Sequence, residues 1–295
     1  MQYRVRHTTT YAYSDPVVLC QNQARLSPQT MPGQTRLEFS LEINPIPAIR
    51  RPWTDAFGNE VWYFSVESPH HQLEVTSRSL VDRHVQPLPN PSDTPSWETV
   101  RGGLASGREL ADRFASQFRF ESPFIVESPE ARQYALASFT PNRPLVEAAI
   151  DLTRRIFEEF DYSPATTSVS TPTREVFQTR RGVCQDFAHL QITCLRTLGL
   201  AARYVSGYLV TEPPPGKPKL IGADASHAWL AIYCPGWGWI DLDPTNNVIP
   251  QEKHVTVGWG RDYGDICPIA GVFTGGGRQA MTVAVDVTPV ASGVA

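Results

Sequence analysis

Short strand-like runs dominate the first third of the chain. Tyr3–Tyr13, Phe39–Ile43, Val61–Phe64 and Leu73–Val81 carry β-favouring residues between turn signals, with Gly58-Asn59 reading as a turn before Val61. A stretch rich in Pro and Ser, Pro87 to Trp97, ends this region, so a domain boundary is placed near residue 90: a β-rich domain over 1–90 and a second unit over 91–295. Beyond the boundary the spacing turns helical. Arg108 to Phe118 forms one helical stretch, and Ser128 as N-cap with Pro129 in the first turn opens another. Pro144 starts a third, which carries Leu145, Ala148, Leu152, Ile156 and Phe160 on one face and reads as a packing element. Tyr162 to Thr171 reads as an extended linker. From Gln185 onward Phe187, Leu190, Cys194, Leu195 and Leu198 recur at three- and four-residue steps, and Gly199 supplies a stop. Ala201–Val210, His227–Cys234, Trp239–Asp243 and Met281–Val287 are strand-like; Thr211–Lys219, with three consecutive prolines, is a surface loop. The pattern is that of an α+β protein.

The candidate chemistry lies where the last helix begins. Gly182 lets the chain turn tightly before Cys184, which falls at or just before the first helical turn. There the unpaired backbone N–H groups and the helix dipole favour a thiolate and can face an oxyanion on a bound carbonyl. Cys194 is different: it lies mid-helix on the apolar stripe and reads as a packed residue. His227 opens one strand, Pro235-Gly236-Trp237-Gly238 is a turn, and the following strand puts Trp239, Asp241 and Asp243 on one face. With three or five residues in the loop, Asp243 pairs with Trp229 and lies diagonal to His227, about 7–8 Å away at the backbone and within reach of a side-chain hydrogen bond. Two or four residues would place them on opposite faces. Asp241 shares the face with Asp243, so geometry leaves two acids that could orient His227. Cys, His and acid in this order provide a nucleophile, a base and an orienting group for acyl transfer.

The run Gly182-Val-Cys-Gln-Asp-Phe-Ala-His189 and Asp243-Pro-Thr-Asn246 resemble the core motifs of the transglutaminase-like superfamily, a papain-like group of cysteine enzymes, and its bacterial branch in particular. Tyr3–Tyr13, Arg25-Leu-Ser-Pro28, Asp55-Ala-Phe-Gly-Asn59 and Pro69-His70 resemble the β domain that precedes the core in that branch, and Gly260-Arg-Asp-Tyr263 and Gly271–Gly276 its C-terminal segment; Pro87 to Phe124 stands outside the likeness. The resemblance implies an N-terminal antiparallel β domain followed by a papain-like core of helices packed on an antiparallel sheet. It also implies Cys184 as nucleophile, His227 as base and Asp243, in preference to Asp241, as the orienting acid. The activity implied is acyl transfer from an amide to water, as in a peptidase or amidase, or to a primary amine, as in a transglutaminase; the reading favours hydrolysis. A non-catalytic binding protein of the same fold and a cysteine acyltransferase of another superfamily are the alternatives. The first leaves the retained triad without a chemical reason, and the second would lack the β domain. Many transglutaminases use calcium, but the sequence has no concentrated cluster of acidic ligands, so neither metal nor cofactor is expected.

Composition narrows the partners. The 295 residues carry a net charge of −4 with Lys and Arg scattered, so nucleic acid is not expected as a partner; a peptide or protein substrate is what the resemblance implies. No apolar run has the length of a membrane span and the N-terminus lacks a signal-peptide pattern, so no membrane is expected. Cysteines at positions 20, 184, 194, 234 and 267 make an odd, widely spaced set that suits a reducing, cytoplasmic setting. Cys184, His189 and Cys194 are spaced by five residues on a helix, each turned about 140° from the last, and cannot converge on an ion; His189 reads as a supporting residue. His70-His71 reads as a polar loop, Arg180-Arg181 as a solvated pair and Gly275-Gly276-Gly277 as a flexible turn.

Overall fold

One strand organises the N-terminal half. The computed structural model describes residues 1–163, 171–211 and 226–290; most of the Tyr162–Thr171 linker, nearly all of the proline loop and Asp224-Ala225 lie outside them. Strand β1 (Gln2–Ala24) is followed by β2 (Gln34–Asn44), β3 (Ile49–Thr54), β4 (Glu60–Val66) and β5 (His70–Arg83). The helical part comprises α1 (Trp97–Ser106), α2 (Leu110–Ser116), α3 (Pro129–Leu136) and α4 (Leu145–Glu159). Next come β6 (Asp161–Tyr162), α5 (Thr173–Thr179), β7 (Arg181–Gly182), α6 (Cys184–Thr197), β8 (Ala202–Leu209), β9 (Ser226–Cys234) and β10 (Gly238–Leu242). The chain closes with β11 (His254–Gly260), α7 (Tyr263–Ile266), β12 (Ile269–Gly275) and β13 (Gln279–Val290).

Along its length β1 is paired on both sides. Its first half takes β5 on one side and β13 on the other, and its second half takes β4 and β12, all antiparallel. β2 extends the sheet beyond β5 and β3 beyond β4, for seven strands in all. The expected N-terminal antiparallel domain is therefore present, but 269–290 completes it, although the boundary at residue 90 assigned that stretch to the core. These strands sit far from β1 in sequence, and nothing in their local pattern names the sheet they join.

In the core, β10, β9, β8 and β11 form an antiparallel four-stranded sheet in that order. Helix α6 packs on it. Every residue from Asp186 to Thr197 is buried, which is the signature of a helix enclosed on all sides rather than one lying on a surface. The α4 stripe behaves as its spacing predicts: Leu145, Ala148, Leu152 and Ile156 are all buried, with Pro144 just before the first helical residue. Helix α1 begins at Trp97, within the expected linker; Ser96 caps it by accepting the N–H of Thr99 at 3.3 Å, and the Gly102-Gly103 pair conceals its helical character in the sequence. The stretch at Arg108–Phe118 shortens to α2, and α5 and β11 were not signalled. His70 opens β5 instead of lying in a loop, and its ring is buried.

The two halves share an apolar interface in which Val5, Val285 and Val287 of the N-terminal sheet meet Tyr208, Val255 and Val257 of the core. Strand β11 is the edge of the core sheet, and side-chain amides of the N-terminal domain cover its backbone. Gln34 donates to the Thr256 carbonyl at 2.7 Å and accepts the Thr256 N–H at 2.8 Å. Asn59 repeats the arrangement on Trp259, donating at 2.7 Å and accepting at 3.0 Å. Each amide uses both its donor and its acceptor, so the edge offers little to a foreign strand. A truncated chain beginning at Pro91 strips β12 and β13 of their partner and uncovers β11. Such a chain is expected to aggregate or to melt well below the full protein in thermal unfolding followed by size-exclusion chromatography.

Candidate active site

Cys184 is the first residue of α6, and the run into it is tightly specified. Gly182 pairs with Tyr162 in the short parallel ladder of β6 and β7. A Cβ at Gly182 would lie 2.8 Å from the Asp186 Cβ and 3.2 Å from the Phe187 ring, so close approach, not a special backbone angle, requires glycine there. The Asp186 carboxylate accepts the Val183 N–H at 2.9 Å and fixes the angle at which the chain enters the helix. Val183 occupies the N-cap and brings no side-chain acceptor, unlike Ser96 and Ser128 at other helices. Cys184 is half-buried at this helix start.

His227 stands on β9 opposite Gly207 of β8. A side chain at Gly207 would collide with the Val255 carbonyl and come within 2.6 Å of the Trp229 ring, which stacks beside His227 with ring centroids 5.9 Å apart. The β9–β10 connection holds three residues between the paired Cys234 and Gly238, and the ladder runs without a slip to Leu230 and Leu242. The odd loop keeps Asp243 on the His227 side. The Nε2–H of His227 donates to Asp243 Oδ2 at 2.8 Å, and the Cys184 thiol hydrogen-bonds the same ring. Asp241 does not take part. It stands in one cross-strand row with Ala231 and Arg203, whose guanidinium lies 4.5 Å from the Trp239 ring centre and 4.0 Å from that of Trp259.

Two further residues complete the arrangement, and the sequence reading named neither as part of the site. His254 at the start of β11 donates Nε2–H to Asp243 Oδ2 at 2.9 Å, and Asn246 Nδ2 donates to the same oxygen at 2.7 Å. Oδ1 accepts the backbone N–H groups of Thr245 at 2.9 Å and Asn246 at 3.3 Å, a turn that Asp-Pro-Thr-Asn could have signalled. His254 had no such signal, since only the pairing of β11 with β8 brings it to Asp243. Asp243 is fully buried. Burial alone would raise its pKa, yet the bonds from His227 and His254, the His227 charge and Asn246 hold it far below the usual carboxylate range. Burial works against a charged His227 as well, but hydrogen bonds to Asp243 and Cys184 and their negative charges push it up to about 10. His189 lies apart from this group: its Nε2 accepts the Tyr263 N–H at 3.2 Å, its ring stacks on Phe124, and burial pushes it down to about 4.

Cys184 and His227 lie between two hollows. One, of about 250 Å³, is walled by Tyr11, Tyr204, Tyr263 and Met281, and the other, of about 290 Å³, by Tyr162, Leu209, Thr245 and Asn246. Larger hollows, one on the outer face of the N-terminal sheet and one beside α3, contain neither residue. Among the described residues His227, Asp243 and His254 are the three that could hold a metal ion. Two imidazoles and one carboxylate do not fit calcium, which takes six to eight oxygens, and here the atoms are already engaged with one another.

These shifts give stability a maximum near neutrality. His227, raised from 6.5 to about 10, contributes fully below about 6.5 and loses its contribution as pH climbs towards 10. His7 and His189, lowered from 6.5 to about 4, contribute above 6.5 and lose theirs as pH falls towards 4. Thermal melts from pH 4 to 10 should decline on both sides. In Asp243→Asn the alkaline decline should flatten, and the His227 ring signal followed by NMR should titrate at a lower pH than in the native protein.

Residues 3–82 match the bacterial transglutaminase-like N-terminal region and residues 132–244 the transglutaminase-like superfamily. An uncharacterized protein of Mycobacterium tuberculosis is 42% identical over 299 residues, covering 98% of this chain and 93% of the relative. A protein-glutamine gamma-glutamyltransferase of Pseudomonas aeruginosa is 34% identical over 113 residues, which are 37% of this chain and 17% of that protein. The crystal structure of a candidate cysteine protease from Cytophaga hutchinsonii has the same fold, with a TM-score of 0.74 at 20% identity over 98% of this chain and 90% of its own. The chain belongs to the bacterial branch of the transglutaminase-like superfamily.

Proposed function

We propose that this protein is a cysteine amidase or peptidase acting on peptide or protein substrates through Cys184, His227 and Asp243. The observation that carries the reading is His227 itself, bonded to the Asp243 carboxylate on one side and to the helix-terminal Cys184 thiol on the other. A thiolate at Cys184 attacks the amide carbonyl carbon, and the first-turn N–H groups of α6 receive the oxyanion. The C–N bond breaks as His227 hands its proton to the leaving amine, which leaves a thioester on Cys184. Water then gives a proton to His227 and attacks the thioester, releasing a carboxylic acid and restoring the thiolate. Asp243 holds the imidazole in the orientation both transfers need and offsets its charge.

Amine transfer is the second reading, and it draws on the relative named as a protein-glutamine gamma-glutamyltransferase. Both paths share every step to the thioester. Intact-mass spectrometry with a peptide library, with and without an amine donor, separates them: new termini or deamidated glutamine mark hydrolysis, and amine adducts mark transfer. Limiting iodoacetamide near pH 6 should label Cys184 first, because burial pushes the Cys20, Cys194 and Cys234 thiols up. First labelling at any other cysteine would rule out the nucleophile.

Cys184→Ala should abolish turnover, and Asp243→Ala should lower it by a factor on the order of 10³–10⁴ while slowing alkylation less. His254→Phe removes one donor to a buried carboxylate and should cost about ten- to a hundred-fold in turnover, since such bonds are worth roughly 1.5–3 kcal/mol. His254→Gln, which can still donate to Asp243, should retain more activity in the same assay.

A further inference from the structure

We infer that the inner face of the N-terminal sheet carries a subsite for a large apolar side chain adjacent to the reacting amide, formed by Tyr11, Met281 and Val283 with Ile269 and Tyr263 opposite. The inference rests on the proposed function and adds a substrate class to it. Along β1 and β13 the same face serves two purposes. Val5 pairs with Val287 and His7 with Val285, and in this part of the face the two β13 valines are 0% and 1% exposed against the core. Two residues further on, Thr9 pairs with Val283 and Tyr11 with Met281, and exposure jumps to 46% at Val283 and 59% at Met281. The face has run past the core sheet and overhangs the hollow that holds Cys184 and His227. Open apolar surface at a cleft wall, next to a nucleophile, is surface that a bound molecule can cover.

The wall also excludes. Among the described residues around this hollow none is Asp, Glu, Lys or Arg. Its other imidazole, His7, is engaged through Nδ1 with the Tyr208 hydroxyl at 3.1 Å and through Nε2 with Thr9 at 3.0 Å. Apart from the mutually paired Cys184 and His227, a charged substrate side chain entering here would lose hydration and find no counter-charge. A volume of about 250 Å³ admits one long aliphatic or aromatic side chain, not a folded surface. The occupant is therefore an apolar residue of a flexible peptide segment.

The test uses peptidyl chloromethyl ketones differing only in the residue beside the electrophile: Leu, Phe, Glu or Lys. Each inactivation rate is divided by the iodoacetamide rate of the same variant, since iodoacetamide has no side chain. The Leu and Phe probes should react at least about ten-fold faster than the Glu and Lys probes. Met281→Glu should reverse the order in favour of Lys. Met281→Ala, which only removes contact, should narrow the gap several-fold and keeps the test open if the Glu variant misfolds. Equal rates for all probes, faster Glu or Lys, or a preference untouched by both substitutions, with Cys184 still the alkylated residue, would overturn the subsite and spare the nucleophile. Alkylation by the probes at another cysteine would overturn the nucleophile and the subsite with it.

Discussion

A buried carboxylate is the constraint on which the site depends. Asp243 is out of contact with solvent and has two oxygens to satisfy, and the fold brings five N–H donors to them. A charge so placed is tolerable only when its partners are complete. Completing them requires β9 for His227, the turn after β10 for Asn246 and Thr245, and β11 for His254. Strand β11 in turn is covered by Gln34 and Asn59 of the N-terminal domain. Side chains of the N-terminal half thus hold the strand whose first residue, His254, bonds to Asp243.

Burial does not by itself set the charge of an imidazole here. His7, His189 and His227 are all enclosed, and the first two are driven towards the neutral form because no carboxylate bonds to their rings. Only at His227 do an acid and a thiol reverse the outcome. The same contrast separates the acids. Burial pushes Asp241 up in spite of Arg203, whereas the converging donors pull Asp243 down.

Much of this was legible locally. The apolar stripe from Phe187 to Leu198 placed Cys184 at a helix start, whereas the diagonal of Asp243 to His227 depended on an odd hairpin loop that only the structure supplies, with Asp241 on the same face. Ser128 and Pro129 marked α3 because capping chemistry is carried by adjacent residues. What escaped was non-local or masked. His254 gains its meaning only across the β8–β11 ladder, and β12 and β13 join a strand at the other end of the sequence. Helix α1 escaped because a glycine pair weakens its helical pattern, and the cap at Ser96 lies in a stretch whose prolines read as a linker.

The pairing of Gln2 with Val290 also governs the order in which the molecule can be assembled. During synthesis β1 emerges long before one of its two flanks, since β12 and β13 lie far downstream in the chain. Until then its free edge is open to wrong partners, and loop closure over such a separation is slow. Met281 and Val283, which wall the cleft beside Cys184, arrive with that late flank. A nascent chain can therefore fold the helix that carries the Cys184 thiol well before the wall that faces it exists, because Met281 lies about a hundred residues further along the chain.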